Sequence, residues 1–267
     1  MTEINTEFLA KVEAIAKKVG EFQLLHWNKV KQDSIEDKGL NQLVSFVDQQ
    51  SEQKLVDSLS EILPHSTFIG EEKAPNNRTI TEFTWIIDPL DGTTNFLHGL
   101  PVFSISIALL NHGTPILGVV YCPALYESFT ALKNQGSYLN GDRIYVAQNE
   151  QLKDTLIATG FPYYQFEKVD QYLVVLSHLM KSTHGLRRMG SAAIDLAYTA
   201  CGRFDAFFEM NLSPWDIAAG ILLVEEAGGI VSDFSKQGEV IFKNEIVASS
   251  EAIYGDFLQE LQILVRN

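Results

Sequence analysis

Cysteine is scarce in this chain of 267 residues, which contains only Cys122 and Cys201. The two lie far apart and form no C-x-x-C pair, a usage typical of a reduced, cytoplasmic compartment. We expect both to be buried structural residues. With 46% hydrophobic residues, a chain of this length can bury a substantial core without disulfides.

Long apolar segments and basic residues are also lacking. No apolar run approaches the roughly 18 residues that a membrane span requires, and residues 1–5 show no basic region followed by an apolar one. The sequence therefore predicts a soluble, unexported protein. Its 20 basic and 34 acidic residues give a net charge of −14, which argues against nucleic-acid and membrane partners. An anionic substrate would need bound divalent cations to reverse the local field.

Two carboxylates follow the apolar segment 85–87, which predicts a strand. The strand is expected to end at Asp88, because Pro89 has no N–H for the sheet ladder. Asp91 then lies on a turn, so the two carboxylates can converge on adjacent cations, with the Leu90 carbonyl as a further oxygen ligand. The alternative is an Asx-type turn with a capping aspartate.

A small-residue turn comes next and completes the pattern. Gly92 and Thr93 leave backbone N–H groups free to face a bound oxyanion. Cation ligands and a phosphate-binding turn within a dozen residues predict metal-assisted phosphate chemistry.

Further acidic residues are candidates for the same metal site. Glu71 and Glu72 follow the predicted strand 67–69, and either could be a ligand; both could equally form an exposed acidic loop. Asp216 falls in the first turn of a predicted helix, where a carboxylate either binds metal or caps the helix.

Three motifs occur in the order and spacing of one known family: residues 70–72, 88–96 and 215–229. On these residues the chain resembles the inositol monophosphatase family over nearly its whole length. The resemblance implies a layered αβαβα sandwich of the inositol monophosphatase and fructose-1,6-bisphosphatase type, and a homodimer. The order of predicted helices and strands along the chain indicates a single catalytic domain, 1–267. It consists of an α+β half at about 1–150 and an α/β half at about 151–267.

The resemblance also implies a role for each site residue. The metal ligands are Glu71, Asp88, Leu90, Asp91 and Asp216, which would hold two or three Mg²⁺ ions per subunit. The catalytic residues are Glu71, Thr93 and Asp48. The substrate contacts are Gly92, Thr93, Gly190, Ser191, Ala192 and Glu209. A helix start and a strand-end glutamate would explain the last four without a substrate.

The predicted activity is that of a Mg²⁺-dependent, lithium-sensitive phosphomonoesterase that hydrolyses myo-inositol 1-phosphate with metal-activated water. Its partner would be a small-molecule phosphate ester. One alternative is a fructose-1,6-bisphosphatase or a broad-specificity sugar or nucleotide phosphatase of the same superfamily. A second is a non-catalytic protein-binding scaffold. At Gln42 and Ser45 the sequence departs from the family pattern. The resemblance therefore does not fix the placement of the flap at these residues.

Local patterns predict the elements that carry these residues. Helical spacing of apolar residues predicts helices at 8–22, 43–62, 169–180, 192–201, 215–227 and 251–265. Apolar or alternating runs predict strands at 67–69, 83–87, 103–110, 116–121 and 128–132. Hairpin turns are expected at 111–113 and 140–142, and a flap at 73–79.

Overall fold

The computed structural model describes residues 3–29, 35–39, 42–72, 80–161 and 167–265, with the backbone alone at 35–39 and 42–45. The predicted flap at 73–79 lies outside the described residues. The helices are α1 (Thr6–His26), α2 (Phe46–Ile62), α3 (Thr93–Leu97), α4 (Val169–Ser182), α5 (Ala192–Ala200), α6 (Pro214–Glu226), α7 (Glu251–Glu260) and α8 (Gln262–Val265). Among the described residues, no helix is both long enough and apolar enough to cross a membrane.

Within the described residues, the strands form two sheets and a separate hairpin. They are β1 (Ile35–Gly39), β2 (Gln42–Ser45), β3 (Thr67–Gly70), β4 (Phe83–Asp91), β5 (Ser104–Asn111), β6 (Thr114–Cys122), β7 (Glu127–Leu132), β8 (Gly136–Leu139), β9 (Asp142–Arg143), β10 (Leu156–Thr159), β11 (Gly185–Arg187), β12 (Ala206–Met210), β13 (Gly229–Ser232) and β14 (Glu245–Ser250). Strands β3 to β9 form a seven-stranded sheet in chain order, with only β3 and β4 parallel. The five-stranded sheet has the mixed order β11-β10-β12-β14-β13. β1 and β2 pair as an antiparallel hairpin.

The apolar clusters show how these elements stack. Helices α1 and α2 cover one face of the seven-stranded sheet through residues such as Phe8, Leu55 and Trp85. The other face packs on α5 and α6, which also contact the five-stranded sheet. Helices α4, α7 and α8 cover the far face of that sheet, where Tyr172 and Phe257 are buried. The order helix, sheet, helix, sheet, helix confirms the predicted αβαβα sandwich.

The middle helix layer is apolar on nearly all sides, as expected for helices buried between two sheets. Small residues let it approach its neighbours closely. A Cβ atom on Gly220 of α6 would lie 2.5 Å from the Leu196 side chain of α5, and one on Gly118 of β6 would lie 2.9 Å from the Ala219 carbonyl oxygen. The close contact between the layers therefore depends on the absence of these side chains.

The sequence patterns located most elements, with differences at β2 and α7 and, as shown below, at the end of β4. Both predicted hairpin turns are present and join β5 to β6 and β8 to β9. Residues 43–45, predicted as helix, instead form part of β2, because pairing with β1 supplies hydrogen bonds that no local pattern reveals. The predicted helix 251–265 is interrupted at Leu261, where the backbone N–H bonds to the Leu258 carbonyl, three residues back.

We expect Gly118→Ala to destabilise the fold by about 1–3 kcal/mol, because the added methyl group must push α6 away from β6. Urea unfolding would measure the change. Gly255→Ala on α7 is the matched control, since a Cβ there meets no atom within 4 Å. An unchanged free energy of unfolding for Gly118→Ala would contradict the close packing described here.

Candidate active site

The chain does not leave the sheet at Pro89, contrary to the sequence prediction. β4 continues to Asp91, and its pairing with β5 shifts between Asp88 opposite Ser106 and Asp91 opposite Ser104. Three steps along β4 therefore match two along β5, which defines a bulge. Proline is tolerated at a bulge because the ladder is already interrupted there. In a regular strand residues three apart would face opposite sides, so the extra residue lets both carboxylates face the site.

Local hydrogen bonds fix the two carboxylates of this bulge. Oδ1 of Asp88 accepts from the Leu90 backbone N–H at 2.9 Å, so the Asx-type turn is also present. Oδ2 of Asp91 accepts from the Ser191 hydroxyl at 2.5 Å and from the Ala193 N–H at 2.8 Å. Asp91 therefore joins the seven-stranded sheet to the first turn of α5.

Asp216 combines the two roles that its sequence position left open. Its Oδ2 accepts from the Ser213 N–H at 2.6 Å and so caps the start of α6. At the same time it stands beside the bulge: one carboxylate oxygen from each of Asp88, Asp91 and Asp216 lies within 4.8 Å of the others. Among the described residues, this is a group that could hold a metal ion.

Glu71 reaches the margin of this group from the next strand. β3 runs parallel to β4 with Gly70 opposite Ile87, so the residues that follow, Glu71 and Asp88, emerge at the same edge. The charges of Asp216, Glu72 and Asp48 add to burial in raising the pKa of Glu71 well above its ordinary value. The Glu71 charge in turn raises the pKa of Asp88, after the larger effect of burial.

The site holds several carboxylates close together, with too little positive charge nearby to compensate them. Burial, then the charges of neighbouring carboxylates, raise the pKa values of Asp88 and Asp216 well above their ordinary range. Burial also raises the pKa of Asp91 to about 6, although its bonds to Ser191 and to the backbone lower it. A cation would relieve this repulsion, and an all-oxygen set of donors suits a hard divalent ion such as Mg²⁺.

Thr93 and Asp48 meet beside the carboxylate group. Oδ1 of Asp48 and the Leu90 carbonyl oxygen each lie 3.0 Å from the Thr93 hydroxyl, which has one proton and can donate to only one of them at a time. Asp48 is buried in the first turn of α2. The structure thus brings together two of the predicted catalytic residues and the predicted carbonyl ligand.

Gly92 forms the start of the predicted phosphate turn. Its φ of +89° is accessible to glycine at little cost, and no side chain among the described residues caps the following helix α3. A Cβ atom would lie 2.9 Å from the Val102 carbonyl oxygen. Both the backbone conformation and the available space therefore require glycine at this position.

Three of the predicted alcohol-binding residues lie at the start of α5, next to the loop that Asn95 of α3 contacts. Ser191 is the N-cap of α5: its hydroxyl oxygen accepts from the Ile194 N–H at 3.3 Å while the hydroxyl donates to Asp91. Gly190 and Ala192 flank this cap. These bonds already occupy Ser191, so any substrate contact of this loop would involve its backbone or its small side chains.

Glu209 lies at the end of β12 with its carboxyl group against Gly160, where a Cβ atom would be 1.8 Å from Oε1. Burial raises the pKa of Glu209 to about 8, against the lowering effect of the Arg188 guanidinium. The carboxyl group is thus protonated at neutral pH in the absence of other ligands. It can then both donate to and accept from a hydroxyl group.

Sequence reasoning missed two residues that hold the site together. Glu52, buried on α2, accepts from the Glu72 N–H at 2.9 Å and anchors the segment that carries Glu71. Asn95 donates to the Val102 carbonyl at 2.7 Å and to the Met189 carbonyl at 2.9 Å, which ties α3 to the loop before α5. The spacing of Asp48 and Glu52, four residues apart, was a usable signal, because it places both carboxylates on one helix face.

Comparison with known proteins gives a consistent result. The model of the inositol monophosphatase family matches residues 5–266. The inositol-1-monophosphatase of Mesorhizobium japonicum is 40% identical over 247 residues, with 92% of this chain and 93% of that protein covered. The Nus factor SuhB of Escherichia coli strain K12 is 41% identical over 249 residues, covering 92% of each chain.

A solved structure shows the same architecture. The extragenic suppressor protein suhB of Bartonella henselae aligns with a TM-score of 0.90 and 37% identity, over 96% of this chain and 99% of that one. The similarity therefore extends over the whole sandwich rather than one motif.

Glu209 gives the site a pH dependence that can be measured. Its folded-state pKa of about 8 exceeds the ordinary value of 4.5, so its protonated form stabilises the fold at acid pH, and this stability is lost as the pH rises toward 8. We expect Glu209→Gln, which stays neutral, to match the wild type near pH 4 and to exceed it by about 4–5 kcal/mol near pH 8.5. Urea unfolding in EDTA would test this. A Glu209→Gln curve that runs parallel to the wild-type curve between pH 4 and pH 8.5 would refute the expectation.

Proposed function

Because the chain belongs to the inositol monophosphatase family, we propose that it is a Mg²⁺-dependent phosphomonoesterase that hydrolyses myo-inositol 1-phosphate to inositol and phosphate. The observation that carries the proposal is the convergence of Asp88, Asp91 and Asp216 beside the hydrogen-bonded pair of Thr93 and Asp48. A cation site next to a group able to orient water is what metal-assisted hydrolysis requires.

The proposed metal ligands are Glu71, Asp88, Asp91, Asp216 and the Leu90 carbonyl, for two or three Mg²⁺ ions per subunit. Their fit rests on the chemistry of the donors, all of them oxygen, and on the raised pKa values of carboxylates that lack a counter-charge. When bound, Mg²⁺ would supply Lewis acidity for the attacking water and for the oxygens of the reacting phosphate.

The residues of the chain would orient the reactants. In the proposed mechanism the Thr93 hydroxyl donates to Asp48 and accepts from the attacking water, so that a lone pair of the water faces phosphorus. Glu71 would accept the second proton of that water. The backbone N–H groups of Gly92 and Thr93 would bind the phosphate oxygens and hold the ester in line for displacement.

The alcohol side of the site is proposed at Gly190, Ser191, Ala192 and Glu209. The carboxyl group of Glu209 is of a kind that can engage two neighbouring hydroxyls of a polyol. Ser191 would act through Asp91 rather than by direct contact, given the bonds that it already makes. Homodimer formation and inhibition by lithium belong to the same proposal and rest on family membership.

A second candidate function is supported by the names of the relatives. Proteins of about 40% identity to this chain are named both as an inositol-1-monophosphatase and as the Nus factor SuhB. A protein-binding role, with or without catalysis, is therefore the alternative that we carry forward. The presence of all four carboxylates favours catalysis. The fructose-1,6-bisphosphatase and broad-specificity alternatives concern the leaving group alone and share the proposed metal site.

Mg²⁺-dependent phosphate release would separate these possibilities. We expect the wild type to prefer myo-inositol 1-phosphate over fructose 1,6-bisphosphate, 3′-phosphoadenosine 5′-phosphate and NADP. Asp88→Asn should lose at least about 100-fold in kcat, because a lost ligand weakens charge stabilisation in the transition state. Preference for another ester would keep the mechanism and change the substrate. No metal-dependent release from any of the four would favour the protein-binding function.

Thr93→Val tests the role of the hydroxyl separately from metal binding. Valine keeps the shape but removes the donor to Asp48, so we expect kcat to fall by about 100-fold or more while the Mg²⁺ concentration for half-maximal activity changes little. Thr94→Val, at the exposed neighbouring position, is the control. A fall confined to Mg²⁺ affinity would assign Thr93 to the metal site instead.

A further inference from the structure

Helix α1 carries a buried glutamine at a position where its pattern calls for an apolar residue. The buried stripe of α1 runs through Phe8, Val12, Ala16 and Val19 at helical spacing and ends at Gln23, which is fully buried. The first four side chains belong to the apolar cluster between the helices and the seven-stranded sheet. Packing alone would be served better by leucine or methionine at position 23.

The amide group of Gln23 spans from α1 to the bulge of the candidate active site. Its Nε2 donates to the Pro89 carbonyl oxygen at 2.6 Å and to the Ser51 hydroxyl oxygen at 3.3 Å. The contact with a carbonyl fixes the orientation of the amide, because only its nitrogen can donate. Both N–H groups are therefore used.

The remaining oxygen of this amide makes the arrangement unfavourable for stability alone. Oε1 of Gln23 is buried and has no hydrogen-bond partner among the described residues. A buried acceptor without a partner opposes folding. The amide is thus oriented so that its nitrogen donates to the Pro89 carbonyl, while its own oxygen is left without a partner among the described residues.

The Pro89 carbonyl lies at the centre of the proposed metal-binding bulge. Pro89 separates Asp88 from Leu90, and the register shift of the strand pair falls across it. In the pairing of β4 with β5, no residue of β5 lies opposite Pro89. The Pro89 carbonyl therefore depends on a side chain for a hydrogen-bond donor. Gln23 is that donor, and it comes from a layer outside the sheet.

Ser51 places this contact in a wider arrangement on α2. Asp48, Ser51 and Glu52 lie on one face of the helix, three and four residues apart, and all three are buried. Asp48 accepts from Thr93, and Glu52 accepts from the Glu72 N–H. Ser51 accepts a hydrogen bond from the Gln23 amide. Through these three side chains, the first turns of α2 contact Thr93, the Glu72 backbone and Gln23.

We propose that Gln23, supported by Ser51, is a positioning residue that sets the metal affinity of the site by holding the Pro89 carbonyl of the bulge. The inference rests on the proposed metal site. Without the amide, the carbonyl would turn to find another donor, and the carboxylates on either side of it would lose their common orientation. Groups that orient metal ligands in this way typically contribute a factor of about 10–100 to affinity.

Calorimetric titration of the metal-free protein with Mn²⁺ would test the proposal, with the wild type compared to Gln23→Met. Methionine keeps the length and volume of the side chain and removes both donors. We expect about 10-fold weaker binding of Mn²⁺. Hydrogen exchange of residues 88–93 should also become faster in the metal-free variant, because the bulge has lost its anchor.

Thr155→Val is the matched control. Thr155 is fully buried in the five-stranded half and donates to the Leu152 carbonyl at 2.6 Å, the same length as the contact of Gln23. For Thr155→Val we expect a loss of thermal stability but no change in Mn²⁺ affinity or in hydrogen exchange at residues 88–93. If Gln23→Met behaves in the same way, the residue is only structural and the proposal is overturned.

Two further outcomes are distinguishable. If Gln23→Met does not fold, Ser51→Ala decides: at least about twofold weaker Mn²⁺ binding supports the proposal, and unchanged binding overturns it. If the wild type itself binds no Mn²⁺, the proposed function fails and the role of Gln23 fails with it. Wild-type binding that Gln23→Met leaves intact would reject the positioning role alone.

Discussion

The desolvation and mutual repulsion of carboxylates brought close together form the constraint on which the rest of this structure depends. Glu71, Asp88, Asp91 and Asp216 come from a strand end, a bulge and a helix start, and burial keeps the pKa of each above its ordinary range. No single element could hold them together, because a regular strand or helix separates residues at these spacings. The fold achieves it by placing the edge of one sheet against the N-termini of α5 and α6, whose dipoles favour negative charge.

Most of the site could be predicted because its residues lie in contiguous motifs. The helix pattern after Asp216 placed that carboxylate in the first turn of α6, the apolar segment before Asp88 predicted the strand but not its continuation to Asp91, and the layered fold followed from the family that the motifs indicate. What could not be predicted depends on partners far apart in sequence. The bulge that carries β4 past Pro89 requires knowledge of β5, and the strand at residues 42–45 requires β1.

The hydrogen-bond anchors of the site were hidden for a similar reason. Glu52 and Asn95 bind backbone groups 20 and 94 residues away, and neither partner can be identified from the sequence. Gln23 differs, since a polar residue on an apolar stripe is visible in the sequence. Its partner, a proline carbonyl 66 residues further on, is visible only in the structure. Polar residues on an apolar stripe thus indicate a functional role in the sequence, but the groups that they contact are visible only in the structure.

The chain holds its layers together without disulfides, and this gives the carboxylate group a consequence for folding. A cation held by Glu71 and Asp216 would join two residues 145 positions apart (216 minus 71), with β4 to β9, α5 and β12 all lying between them. The ligands come together only in the folded chain, so the ion would bind the folded form and not the unfolded one, and would stabilise it by mass action. In this cysteine-poor protein the cation would thus take the place of a cross-link between distant parts of the chain, and its removal would lower the free energy of unfolding.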